Sequence, residues 1–339
     1  MENYVSIIAA IAAFAISAGM GKVLIPWLHK LKYGQPIKEI GPTWHSSKQG
    51  TPTMGGLMFI AGTVIAVCVC LPLFWGVSSK EVTTETSVRI WAGFIMGVLY
   101  GLVGFADDYI KIVRHHNDGL SFWQKIISQT GIAAAYLAAL WISGDKGAGA
   151  TRIPFVEEPV NLGIWFYIIG LIMIVGFVNA VNLTDGVDGL CSSVTFFAAI
   201  SFMLTAALSS MLEISILAAA VAGGCLGFLV WNFHPAKVFM GDTGSLFLGG
   251  MFCALAFGMK MPILIPLVGI IYLCEAGSVI IQRYYFKLTH GKRIFKMSPI
   301  HHHFEMCGWS EVKIVVVFSC VTFAAGIIAA LLVGFGFPR

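Results

Sequence analysis

The stretch IWAGFIMGVLYGLVGFADDY, residues 90–109, decides how this chain folds. It runs apolar and small from Ile90 to Ala106, long enough to cross the hydrocarbon core of a bilayer as a helix, and then presents two adjacent carboxylates, Asp107 and Asp108. An ionised carboxylate beside hydrocarbon is costly, so acids gathered where an apolar run ends mark a wet, functional surface. The pattern recurs along the chain. Of seven aspartates, six fall at the ends of apolar segments (Asp107, Asp108, Asp118, Asp185, Asp188 and Asp242), and Asp145 is the exception.

Outward from this stretch, apolar runs of membrane-spanning length lie at about 3–28, 53–75, 88–108, 122–142, 163–181, 190–210, 212–231, 244–259, 262–286 and 313–336. Hydrophobic residues make up 58% of the chain and charged residues only 11%, against about 25% charged in soluble domains. The expected fold is an all-α polytopic membrane protein of about ten transmembrane helices. The first run follows Glu2 rather than a basic cluster and ends in no clear cleavage site, so it reads as a retained helix. No connection is long enough to form a separate soluble domain, and 1–339 reads as a single integral membrane catalytic domain. Segment 143–162, with short alternating runs around Glu157 and Glu158, predicts a small hairpin on the outer surface.

Ten spans place both termini on one side. Lysine and arginine then orient the bundle. Fifteen of the 21 basic residues fall in or beside connections 29–52, 109–121, 182–189, 232–243 and 287–312, which makes these cytoplasmic and both termini external. The net charge of +4 is modest and sits beside membrane segments, which suits lipid headgroups or phosphorylated substrates rather than nucleic acid. Seven of the eight cysteines lie within apolar runs and none forms a C-x-x-C pair, so neither a disulfide frame nor a cysteine zinc site is expected.

The inner connections carry the chemistry. Asp107 and Asp108, followed by Lys111, share one target only where a helix ends and opens to water, and a paired-acid mouth suits a divalent cation on phosphate. Asp185 and Asp188 in Asn179-Ala-Val-Asn182-Leu-Thr-Asp185-Gly-Val-Asp188 are spaced to share a helical face, beside asparagine amides able to read a sugar or a base edge; a turn rich in Asn and Asp is the bland alternative. At Asn232 to Ser245, Asp242 sits between glycines and hydroxyls just before an apolar helix, whose first N–H groups can face an anion while Asp242 takes a metal. Phe239 is either packing or a platform for a flat ring. His301, His302 and His303 cannot all chelate one ion from a regular helix, and with basic neighbours they suit phosphate oxygens or proton transfer. Lys48 to Gly56 is a basic, glycine-rich entrance to the second span without the spacing of a P-loop. Glu275 lies inside the ninth run, near the face of Gln282, either beside a hydrated groove or paired with a neighbouring helix.

Together these segments resemble the polyprenyl-phosphate N-acetylhexosamine-1-phosphate transferase superfamily, and within it the phospho-N-acetylmuramoyl-pentapeptide transferase branch, favoured by the unbroken His301-His302-His303-Phe304-Glu305. The resemblance implies a homodimer in the bacterial inner membrane that transfers phospho-MurNAc-pentapeptide from UDP-MurNAc-pentapeptide to undecaprenyl phosphate with magnesium, at the cytoplasmic face. It implies that Asp107, Asp108, Asp242 and the histidine motif, with His301 and His302, form the catalytic centre; magnesium usually takes one or two carboxylates, which makes Asp242 the leading metal ligand beside Asp107 and Asp108, while Lys111, Lys48 and His302 can offset the remaining charge. It implies substrate contacts from Lys48, Thr53, Asn179, Asn182, Asp185, Asp188, Asn232, Phe239, Gln282 and His303. A phosphate monoester has a second pKa of about 6, so the lipid phosphate is mostly a dianion and direct attack is favoured, although a covalent route would use the same residues. The competing readings are a transferase of N-acetylglucosamine 1-phosphate and, less well supported, a transporter, which would carry its charges at the bilayer midplane.

Overall fold

A computed structural model describes residues 4–30, 50–78, 82–114, 118–143 and 149–336. Lys48 and Asp145 lie outside the described residues. The described chain forms α1 (Val5–Lys30), α2 (Gly56–Val77), α3 (Thr84–Arg114), α4 (Phe122–Ile142), β1 (Ala150–Thr151), β2 (Val160–Asn161), α5 (Ile164–Thr184), α6 (Leu190–Leu208), α7 (Leu212–Asn232), α8 (Gly241–Gly258), α9 (Leu264–Val268), α10 (Ile270–Leu288), α11 (Ile300–Met306) and α12 (Glu311–Gly336). Eight of these, α1 to α7 and α12, are long and apolar enough to cross a membrane. Of the other two expected spans, 244–259 is α8, and 262–286 is not one helix. It divides into α9 and α10 at Gly269, whose φ of −90° and ψ of 22° depart from helical values.

The centre of the bundle is α8, in which every residue except Asp242 is buried. Its glycines and alanines let neighbouring helices approach closely, which is how helices associate where lipid offers no hydrophobic driving force. On α3, Gly97, Gly101 and Gly104 face Met251, Phe247 and the Asp242–Thr243 backbone in turn. A Cβ at Gly104 would collide with that backbone, so Gly104 brings the start of α8 against the turn of α3 that carries Asp107 and Asp108. Two expectations change here. The third span does not end at Asp108 but runs on to Arg114, so the paired acids lie within a helix rather than at its mouth. Asp185 and Asp188 share no helical face, since residues 185–189 form the turn between α5 and α6.

The hairpin is present and shorter than expected, with Ala150 opposite Asn161 and Thr151 opposite Val160. Backbone hydrogen bonds from Arg152 to Lys260 O (2.9 Å) and from Phe155 to Gly336 O (2.7 Å) tie it to the ends of α8 and α12. A capping box formed by Ser121 and Gln124 starts α4 and fixes the position of Lys125 one residue later.

Candidate active site

Because neighbouring residues on a helix point about 100° apart, Asp107 and Asp108 diverge. Asp108 is buried and turns to α8, where its carboxylate accepts from Asp242 N (3.2 Å), Thr243 N (2.8 Å) and Thr243 Oγ1 (2.7 Å). The N–H groups expected to face a substrate anion are thus held by an anion of the chain itself. Gly241 precedes this cap with φ of +70°, and a Cβ there would meet Asp108 Oδ2 and Thr53 Oγ1. Thr53 is buried beside them, with its hydroxyl unpartnered.

Asp107 turns to the cavity. Lys111 Nζ stands 2.6 Å from Asp107 Oδ2 and 3.3 Å from Asp242 Oδ2, and Lys125 Nζ stands 3.1 Å from Asp107 Oδ1 and 2.6 Å from Asp242 Oδ2. Leu120 N also donates to Asp107 Oδ1 at 2.7 Å, closing the 118–121 segment over the carboxylate. Asn182, on the last turn of α5, donates to Asp242 Oδ1 (2.9 Å) and Ser245 Oγ (2.8 Å), orienting the carboxylate that remains most open. Above this cluster is a cavity of about 700 Å³ whose lining includes Asp107, Lys111, Arg114, Asp118, Lys125 and Asp242. Lys125 was not singled out from the sequence as a site residue, although a cation inside an otherwise apolar run is the signal that finds it.

One oxygen of each of Asp107, Asp108 and Asp242 lies within 4.8 Å of the others, and hard oxygen donors at this spacing fit magnesium. With Asp108 committed to the cap of α8, Asp107 and Asp242 have the freer oxygens.

The other expected site residues separate into two groups. Asn179 pairs with Gln129 of α4 (Nδ2 to Oε1, 2.7 Å) and with Val175 O, inside the bundle. Asn232 is buried with both ends of its amide engaged, accepting from Ser192 Oγ (2.9 Å) and donating to Val238 O (2.9 Å). Gln282 accepts from Ile294 N and Phe295 N, and His303 Nδ1 accepts from Lys296 N, so both pin the 289–299 connection. These four hold the scaffold and have their named polar groups occupied.

The second group lies on the 185–189 turn, the 233–240 connection and α11. The Asp188 carboxylate accepts from Ala236 N (3.0 Å) and lies 3.2 Å from His234 Nδ1, with Glu311 3.6 Å from the same nitrogen. It fixes the loop that carries Phe239. The Phe239 backbone joins the 52–55 segment through hydrogen bonds to Pro52 O and from Gly55 N, while its ring stays half-buried and outside the apolar core. Asp185 is partly buried just beyond α5, and burial, reinforced by the charges of Asp242, Asp108 and Asp188, pushes its carboxyl up to about 8. His301 Nδ1 lies 3.0 Å from Glu275 Oε2, which accounts for the buried acid of α10, and His302 Nδ1 lies 2.6 Å from Glu305 Oε2.

The family model of glycosyl transferase family 4 matches residues 90–260, and signature 1 of phospho-N-acetylmuramoyl-pentapeptide-transferase matches residues 48–60. The phospho-N-acetylmuramoyl-pentapeptide-transferase of Listeria monocytogenes is 42% identical over 335 residues, covering 99% of this chain and 100% of the relative. Those of Thermoanaerobacter sp. and Clostridioides difficile are each 43% identical, over 94% of this chain and 96% of the relative, and over 92% and 93%, respectively. With acids and lysines meeting at one cavity and relatives matching from end to end, the chain belongs to the phospho-N-acetylmuramoyl-pentapeptide-transferase family.

Proposed function

We propose that this enzyme transfers phospho-MurNAc-pentapeptide from UDP-MurNAc-pentapeptide to undecaprenyl phosphate, giving lipid I and UMP, with magnesium and at the cytoplasmic face of the bacterial inner membrane. The observation that carries the reading is the cluster of Asp107, Asp242, Lys111 and Lys125 at the floor of a cavity. Three carboxylates, Asp108 included, against two ammonium groups leave one net negative charge. A divalent cation on Asp107 and Asp242 would reverse that sign and neutralise charge on the diphosphate.

The chain's own residues bind, orient and neutralise. Lys111 and Lys125 stand where two phosphorylated substrates must approach each other, and offset their repulsion. An oxygen of the lipid phosphate attacks the phosphorus bonded to the sugar; the new P–O bond forms as the bond to the bridging oxygen breaks, and UMP leaves with that electron pair. The lipid phosphate is mostly a dianion at neutral pH, so Asp107 needs only to position it or take the remaining proton. Phe239 is the stacking face for uracil, and Asp185, adjoining it through the Asp188 turn, contacts the nucleotide as a neutral acid. Thr53 and Asn182 border the diphosphate.

Ten spans with external termini and a homodimer complete the proposal, supported by the asymmetry of lysine and arginine and by the family. The deciding experiment supplies purified protein with undecaprenyl phosphate and either UDP-MurNAc-pentapeptide or UDP-N-acetylglucosamine, and measures UMP. Release with the muramoyl substrate alone is expected. Release only with UDP-N-acetylglucosamine would overturn the assignment of the sugar.

A further inference from the structure

Glu275 is completely buried in α10, and His301 is 1% exposed on α11. A buried carboxylate needs a hydrogen-bonded partner, and Glu275 Oε2 finds two on one residue: His301 Nδ1 at 3.0 Å and His301 N at 3.5 Å. The two contacts fix the ring in rotation, and with the carboxylate as the acceptor the hydrogen lies on Nδ1 and leaves Nε2 to accept.

The other ring nitrogen, Nε2, is buried and has no hydrogen-bond partner. It faces Gly186, where a Cβ would fall directly against it. Gly186 follows Asp185 and lies in the same turn as Asp188. The three histidines therefore do different things. His303 gives its Nδ1 lone pair to a backbone N–H and His302 pairs with Glu305 on its own helix, whereas His301 is anchored from another element and aims an unoccupied nitrogen at the 185–188 turn. An unpartnered buried nitrogen costs free energy that is recovered when a ligand meets it.

We propose that Glu275 is the positioning residue for His301, holding its ring so that Nε2 accepts a hydrogen bond from a hydroxyl of the bound sugar nucleotide beside the Asp185–Gly186 backbone. The inference rests on the function proposed above and adds to it a fixed role for an acid remote from the aspartate cluster. Gly186 belongs to the same device, because only a residue without a side chain leaves Nε2 its space.

The test measures UMP release by wild type, Glu275→Gln, His301→Asn, the double variant and Gly186→Ala. Glu275→Gln preserves size and hydrogen-bonding reach but removes the charge, and kcat is expected to fall about 10- to 100-fold, the usual effect of losing a partner that orients a functional histidine. KM for the UDP-sugar should stay within about threefold, because Phe239 and the lysines still hold the ground state and the His301 contact is the one that tightens in the transition state. In the His301→Asn background the same change should cost less than about threefold, since the two residues act as one unit. Gly186→Ala should reproduce the loss by displacing the ring. Equal losses from Glu275→Gln with and without His301, or an active wild type matched by Glu275→Gln, would overturn the positioning role alone. A wild type that releases no UMP from either sugar nucleotide would overturn the function and this inference together.

Discussion

Lys125 of α4 places Nζ 2.6 Å from Oδ2 of Asp242 on α8, joining residues 117 apart in sequence. Together with Lys111 it occupies Oδ2 of Asp242, so a metal ion held by that carboxylate would compete with lysine for one oxygen. Lys125→Gln should therefore bind manganese alone more tightly than wild type while turning over at least about tenfold more slowly, the scale of losing one preorganised charge. Metal titration of the detergent-solubilised protein and UMP release would check the two halves, and weaker metal binding in the variant would contradict the competition.

Asp108 and Asp242 should separate by stability. Asp108→Asn removes a buried charged cap from α8, and a lowered Tm is expected, equivalent to about 1 kcal/mol. Asp242→Asn leaves that cap in place and should melt near wild type but lose at least about 10²-fold in rate. Asp107→Asn should behave in the same way as Asp242→Asn. Turnover like wild type in Asp242→Asn at limiting magnesium would remove it as a metal ligand.

Excess chelator should abolish transfer, with magnesium or manganese restoring it better than zinc, since both proposed ligands, Asp107 and Asp242, offer carboxylate oxygens. Full activity in chelator would defeat the metal model.

Phe239→Ala should raise KM for the UDP-sugar about five- to a hundredfold, as expected from about 1 to 3 kcal/mol of base stacking, and leave the dependence on undecaprenyl phosphate nearly unchanged. Phe239→Trp should keep most binding. The half-buried ring outside the core predicts an unchanged Tm for Phe239→Ala; a lowered Tm with intact nucleotide binding would return the residue to simple packing.

Asp185 gives a pH signature. Its carboxyl is pushed up from 3.8 to about 8 in the folded protein, so between those values the folded chain keeps a proton that the unfolded chain has released. Stability therefore falls as pH rises through this window, and the cost is complete above about 8. Asp185→Asn carries no such proton, and its Tm should decline less steeply than wild type between pH 5 and about 8. Parallel Tm profiles would show that Asp185 ionises normally.

The sequence by itself determined the helices and the cast of the site. Hydropathy is a property of neighbours along the chain, and the runs at 122–142, 190–210 and 212–231 correspond to α4, α6 and α7 with ends displaced by no more than a few residues. Carboxylates and histidines at the ends of apolar runs were legible because hydrocarbon tolerates them nowhere else without a partner. Tertiary structure alone decided which residue meets which. Helix rotation and close approach, set by contacts such as Gly104 against the start of α8, turned Asp107 to the lysines and Asp108 to a backbone cap, a division that two adjacent letters do not reveal. They spent Asn179 and Asn232 inside the scaffold, brought Lys125 to Asp242, and gave Glu275 its histidine. Pairings across the bundle depend on the direction each side chain takes from its helix axis, and that direction is fixed only when the helices pack.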